Sequence, residues 1–543
     1  MELDRPGLNN ATPRRIWLAA GPCVFLSLFF IWPVSQLILE GLGTNSSAMI
    51  DVFGSSSLRS AAWFTFWQAS VSTALTLLVA LPLSAVIGNV SFRGRRVVLA
   101  LVTVPFVLPT IVVAGAFLAT SERVGLDSGR FSLSKSVFAI VVAHVFFNVA
   151  VVVRTVGSYW SQLSRDGENA ARTLGTSPIS AFFRITLRRL QAPLLAATSI
   201  IFLFTFTSFA VVLILGGARQ RTIETEIYRH AISRTDFATA AALSIVQLIA
   251  VVALVAVNIR LRSRLPRGDR LANNRLQPWS NPKTEILPVI TVITTLALLA
   301  IPLLVLLEQS LQTGDGWGFD NYTSLSERPR FLTVTPLRAV ANSVGFALVA
   351  TLIAVIFGGW ASLAITYSRP GLSRLIDLGY LLPLGTSPVT LGFGILLTFD
   401  SGALDLRQSW IIIPLTQSLI GIPFVTRSVV PVLRSIDPHL REAAASMGAS
   451  PLKVRRDIDL PIARRALTVG AGFAFAISLG EFGATSFVGR RPDFMTVPLA
   501  IARLLSQPGQ SIRGQAMALS VILMFVTVAV LLVVDRADSS ATI

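Results

Sequence analysis

Residues that carry chemistry are scarce in this chain. It has one cysteine, Cys23, set in an apolar run, which excludes a disulfide framework and a cysteine metal cluster. The histidines, His144, His230 and His439, are too scattered to give a ligand spacing, and His144 reads as an interhelical hydrogen bonder. Lysine occurs only at Lys135, Lys283 and Lys453, and none completes a Gly-x-x-x-x-Gly-Lys loop that would cradle a nucleotide. No nucleophile–base arrangement stands out. The expectation is a chain without enzymatic activity, resident metal or cofactor. Acidic residues are also few, 28 against 46 basic ones, and ionisable groups rarely interrupt the apolar runs. An ion-coupled pump, which needs carboxylates or histidines near the bilayer centre, is disfavoured for that reason, although a twelve-span secondary transporter remains the alternative class.

What the sequence has in abundance is apolar residues. Of 543 residues, 53% are hydrophobic, the mean hydropathy is +0.68, and several runs exceed the roughly 20 residues that cross about 30 Å of hydrocarbon. This indicates an all-α polytopic membrane protein. Twelve spans are expected, at 16–39, 61–88, 97–119, 136–154, 192–217 and 238–259, then 285–308, 342–367, 376–398, 409–432, 466–488 and 514–535. No small-residue cleavage site follows the first run, which reads as a retained span. A net charge of +18 would suit nucleic acid, but the arginines sit between apolar runs and vary in density from loop to loop. Arg14 and Arg15 precede the first span, Arg93, Arg95 and Arg96 follow the second, and basic residues crowd the stretch 260–283. This is the positive-inside pattern of a multi-pass inner-membrane protein with both termini cytoplasmic and no nucleic-acid partner.

A polar interruption, REAAASMGASPLKVRRDIDLP at Arg441–Pro461, separates the tenth and eleventh spans. Asp437 is placed to cap a helix that starts at Pro438, and Gly448 is placed to stop it in the left-handed conformation. Ser450-Pro451 then restarts a second short helix, which is expected to end before Pro461. The pattern occurs twice. Asn169, Ala170, Ala171, Gly175, Ser177, Pro178 and Ile185 sit at one constant separation from Glu442, Ala443, Ala444, Gly448, Ser450, Pro451 and Ile458. At the same separation Phe209 matches Phe482. The third and ninth spans share paired prolines, Pro105 and Pro109 against Pro383 and Pro388.

The chain therefore reads as two parallel six-span repeats. The expected division is an N-terminal segment, first span and outer loop (1–59), a first membrane domain (60–259), a basic linker (260–284), the seventh span and outer loop (285–340), a second membrane domain (341–535) and a cytoplasmic tail (536–543). Irregular backbone at the paired prolines is tolerated at membrane depth only where it is buried or lines a water-filled path, or it serves packing as a kink. The candidate pathway lies between the halves at Pro105, Pro109, Pro383, Pro388, Ser208 and Glu481. Glu481 either lines that cavity or pairs with an arginine at the membrane surface, and its counterpart in the first half is Ser208.

The second elbow resembles the EAA loop of type I ABC importer permeases, whose pattern is met by Glu442, Ala443, Ala444, Gly448, Ile458 and Pro461. The first elbow departs from it, with Asn169 at the Glu position and Arg188 where proline is expected. The fused architecture resembles the thiamine and ferric-iron permeases. The stretches Ala143–Val156 and Ser208–Tyr228 are similar to the thiamine permease, and SLGEFGATSF also resembles molybdate and sulfate permeases. The resemblance implies two copies of a separate cytoplasmic ATPase that binds the ATP and is contacted by the elbows. It also implies an external substrate-binding protein, and a substrate that is thiamine or, alternatively, ferric iron.

Overall fold

A computed structural model describes residues 12–43, 46–129, 131–217, 219–263, 277–278, 286–314, 316–400, 405–406, 408–489 and 491–539. Most of the expected linker, the first residues of the chain and the last few of the tail lie outside the described residues. Within them, nine helices are long and apolar enough to cross a membrane. Three further helix pairs, each bent at a short break, bring the total to the twelve expected spans.

Two of the three bends fall where proline removes a backbone donor. The third span is Arg95–Val107 followed by Thr110–Val124, turned by 98°, with Pro105 inside the first piece and Pro109 at the junction. Its repeat partner, the ninth, is Pro370–Gly385 followed by Pro388–Thr398, turned by 101°, with Pro383 and Pro388 in the corresponding places. Proline cannot donate to the helical ladder, and Pro388 is suited to the first position of a new helix. The irregular backbone expected at the paired prolines thus takes the form of sharp corners in the third and ninth spans. The eleventh span ends at Gly480, earlier than expected, and Thr485–Val488 forms a separate turn.

The two halves are interleaved. The first span, Leu18–Gly43, packs on the eighth (Pro336–Tyr367) and ninth spans of the other half. Phe25 stacks on Phe357 at 4.1 Å, and the Tyr380 hydroxyl donates to the Pro22 carbonyl at 2.8 Å. A Cβ at Gly379 would stand 2.7 Å from Leu26, so glycine lets these helices touch. The seventh span, Ile286–Leu311, makes the reciprocal contact with the third, joined at its end by Arg123 and Glu308 at 2.9 Å. Each half thus completes its apolar core with a helix from the other.

Candidate functional site: a paired elbow and a central cavity

The second elbow is built as its capping residues dictate. The Asp437 carboxylate accepts from the His439 N–H at 2.9 Å and starts the helix Pro438–Ser446. Gly448 ends it at φ +83°, with nothing near its missing Cβ, so the glycine is there for its backbone alone. Ser450 caps the restart through the Lys453 N–H, with Pro451 first in the helix. The first elbow repeats this geometry in the helix Asp166–Thr173, with Gly175 at φ +87° and Ser177 capping through the Ser180 N–H. Glu442, Ala443, Asn169 and Ala170 are exposed, whereas Ile185 and Ile458 are half-buried against the spans.

The second short helix does not end before Pro461. It passes through a π-helical turn, Arg455–Asp459, and continues as Leu460–Gly480, so that 451–480 forms one helix. A π-turn absorbs one extra residue, and Pro461 then falls in the first turn of the next segment, where its missing N–H is harmless. The first elbow has a similar π-turn at Phe182–Thr186, but there the helix breaks at Leu190 and bends by 69°. One elbow is therefore continuous with its span and the other is hinged.

Each elbow is also tied back to the membrane body through equivalent positions. Asp459, fully buried, pairs with Arg441 at 2.9 Å and accepts from the Tyr367 hydroxyl. The Arg441 guanidinium also donates to the Leu433 carbonyl at 2.9 Å, and Arg441 and Arg455 both lie 5.3 Å from the Tyr367 ring centre. In the first elbow the same two positions hold Glu168 and Thr186, joined by a neutral-to-charged hydrogen bond of 3.0 Å. Sequence reading missed this brace. It also missed four apolar side chains that face outward from the elbows: Leu174 and Ile179, 86% and 72% exposed, and their equivalents Met447 and Leu452, 82% and 73% exposed. The repeat itself was the available signal, because each pair falls at the separation set by the two glycines.

Between the halves lies a cavity of about 390 Å³. The corners of the third and ninth spans form part of its wall, through Phe106 and Thr110 on one side and Pro383, Thr386 and Pro388 on the other. Pro105 and Pro109 are not in the lining. Pro109 instead packs behind it, where a Cβ on Gly480 would stand 2.9 Å away. Phe209 and Phe482, equivalent in the repeat, stack at 5.4 Å with their planes 17° apart and join the halves at the cavity wall.

Most of the lining is apolar, with phenylalanines from both halves. His144 holds Ser72 through Nδ1 at 3.2 Å and Ser208 through Nε2 at 2.8 Å, and thereby links three segments. Glu481 lines the cavity and is buried. Its two carboxylate oxygens accept from the Ala484 and Thr485 N–H groups at 2.6 and 2.9 Å, and among the described residues no arginine pairs with it. Among the described residues no group of three or more His, Cys, Asp or Glu could hold a metal ion.

The model of the family described as "Binding-protein-dependent transport system inner membrane component" matches residues 80–265 and again 354–539. The chain belongs to this family. It is a multi-pass inner-membrane permease with the family domain fused in two copies. The permease is similar over 98% of both chains, at 26% identity, to the thiamine transport system permease protein ThiP of Brucella abortus. It is 28% identical to ThiP of Escherichia coli over 80% of this chain and 81% of that one. It is also 22% identical, over 93% of each, to a probable ABC transporter permease protein of Sinorhizobium fredii.

Proposed function

We propose that this permease forms the membrane pathway of an ATP-driven thiamine importer, receiving substrate from an extracytoplasmic binding protein and force from two copies of a cytoplasmic ATPase. The ATP is bound by the ATPase. In this reading the termini and both elbows face the cytoplasm, in keeping with the arginine-rich loops. The elbow helices enter clefts on the two ATPase subunits, with Met447 and Leu452 on one side and Leu174 and Ile179 on the other as apolar contacts. Large apolar side chains left this exposed on a polar loop suit a protein interface. Closure of the ATPases would then move the spans as rigid bodies. The continuous helix behind the second elbow transmits that displacement more directly than the 69° hinge behind the first.

The observation that carries the choice of substrate is the cavity, together with the similarity to thiamine transport system permeases. A lining rich in phenylalanine with one carboxylate suits an aromatic organic cation such as thiamine. Ferric iron, the alternative, demands several hard oxygen ligands, and the lining offers a single carboxylate. The test is uptake of labelled thiamine into proteoliposomes holding the permease, its ATPase and its binding protein. Uptake should require all three and ATP. Uptake by the permease alone, collapsed by an ionophore and indifferent to ATP, would establish a secondary transporter instead.

A further inference from the structure

Another apolar recess opens beside the second elbow, away from the central cavity. It holds about 430 Å³ between the first, eighth, tenth and eleventh spans, with Leu18, Leu363, Val429 and Leu467 each on one of its walls. The eighth span lines it from Val355 to Leu363, about 12 Å of helix, against the roughly 15 Å of one hydrocarbon leaflet. Ile356 and Trp360 in that wall are exposed although they lie on a span, so the open side meets hydrocarbon. Trp360 stands seven residues before the elbow-side end of the span at Tyr367, a depth that suits the amphipathic indole ring. Gly359 helps keep the recess open, because a Cβ there would already touch Leu467 at 3.4 Å. The charge lies at one end. On the helix 451–480 the lining runs from Arg455 and Arg456, next to the elbow, to Leu460, Ala463 and Leu467 deeper in the membrane. The Arg455 guanidinium lies 5.3 Å from the Tyr367 ring centre, and among the described residues no carboxylate pairs with either arginine. Asp459, the one acid in the lining, is buried and already paired with Arg441.

We propose that this recess is a binding site for one anionic phospholipid, with an acyl chain along the eighth and eleventh spans and the phosphodiester at Arg455 and Arg456. A leaflet-deep apolar trough that ends in two unpaired guanidiniums is complementary to that molecule in both parts. Guanidinium also suits a phosphate oxygen pair better than a point charge does. The site belongs to the second half alone. At the separation set by the two elbows, Phe182 and Phe183 stand where Arg455 and Arg456 are, and the helix breaks at Leu190, the equivalent of Ala463. The bound lipid lies against the continuous helix behind the second elbow, beside the Arg441–Asp459 brace. Its head is placed in the cytoplasmic leaflet, which rests on the orientation proposed above, while the site itself does not depend on what the permease carries.

Native mass spectrometry of the complete transporter tests this, with phosphatidylglycerol and phosphatidylcholine of the same acyl chains titrated in detergent. The wild type should retain one phosphatidylglycerol about fivefold or more tightly than phosphatidylcholine. Arg456→Gln, at an exposed position, should weaken phosphatidylglycerol by about fivefold, and Arg455→Gln with Arg456→Gln by about twenty-five-fold. Lysine at both positions should keep most of the affinity. Gly359→Leu fills the apolar part with both arginines in place and should also release the lipid. Equal retention of the two lipids by the wild type would overturn the proposal, as would full phosphatidylglycerol affinity in the double glutamine variant or in Gly359→Leu. The readout involves no uptake, so a negative result here leaves the thiamine reading standing, and a failed uptake assay leaves the lipid site standing.

Discussion

Removing the Arg441 side chain isolates the brace of the second elbow. Asp459 is fully buried, and its carboxylate is satisfied by the Arg441 guanidinium at 2.9 Å and by the Tyr367 hydroxyl. Arg441→Leu leaves that charge with one neutral donor. Breaking a buried ion pair on one side costs about 3–5 kcal/mol. Because the Arg441 side chain is 19% exposed, water reaches the vacated position and the loss should fall near the lower end, about 3 kcal/mol. Arg441→Leu combined with Asp459→Asn removes both charges and should recover most of this, leaving a net cost of about 1 kcal/mol. The assay is a double-mutant cycle on SDS-induced unfolding in mixed micelles, read alongside the uptake-to-hydrolysis ratio of the reconstituted transporter. Arg441→Leu should lower both stability and that ratio, because the elbow is no longer fixed to the Tyr367 end of the eighth span. A double variant no more stable than Arg441→Leu alone would refute the pairing as the source of the effect.

Two further outcomes follow from the same geometry. Gly448→Ala and Gly175→Ala place a Cβ at φ +83° and +87° where no neighbouring atom clashes, so each should cost about 1–2 kcal/mol from backbone strain alone and reduce uptake, measurable by thermal unfolding and transport. Gly480→Ala would bring a Cβ to 2.9 Å from Pro109 across the contact between the halves, and overpacking of about 1–3 kcal/mol should appear as a lower unfolding midpoint with the elbows untouched.

Much of this architecture was legible in the sequence. Run length and hydropathy gave the number of spans, because a bilayer imposes both on any crossing helix. The constant offset between Gly175 and Gly448 gave the parallel repeat, and the capping residues gave the elbows, since each acts within a few positions of itself. What stayed hidden depends on contacts between distant segments. Hydropathy marks each span as membrane-crossing without naming its neighbour, so nothing in composition says that the first packs on the eighth while the seventh packs on the third. Arg441 lies on the short helix Pro438–Ser446 and Asp459 on the long helix that follows, and they meet only after the chain has turned at Gly448. The paired prolines announced irregular backbone, but the corners of 98° and 101° depend on how the following helices dock. Pro461 reads as a helix stop by its missing N–H, and the helix runs on through it only because the π-turn Arg455–Asp459 precedes it. Glu481 was recognisable as the acid to watch, while its partners, two N–H groups three and four residues on, came from the break after Gly480.

The transfer of force through the elbows is tested most directly by cross-linking. In a Cys23→Ser background, Met447→Cys and Leu174→Cys are introduced separately and paired with single cysteines lining the ATPase cleft. Both positions should cross-link to the ATPase, and the cross-links should block ATP-driven thiamine uptake reversibly on reduction. Intact uptake with both positions cross-linked elsewhere, or no cross-link to the ATPase at either position in an actively transporting complex, would contradict the role of the elbows as the coupling elements.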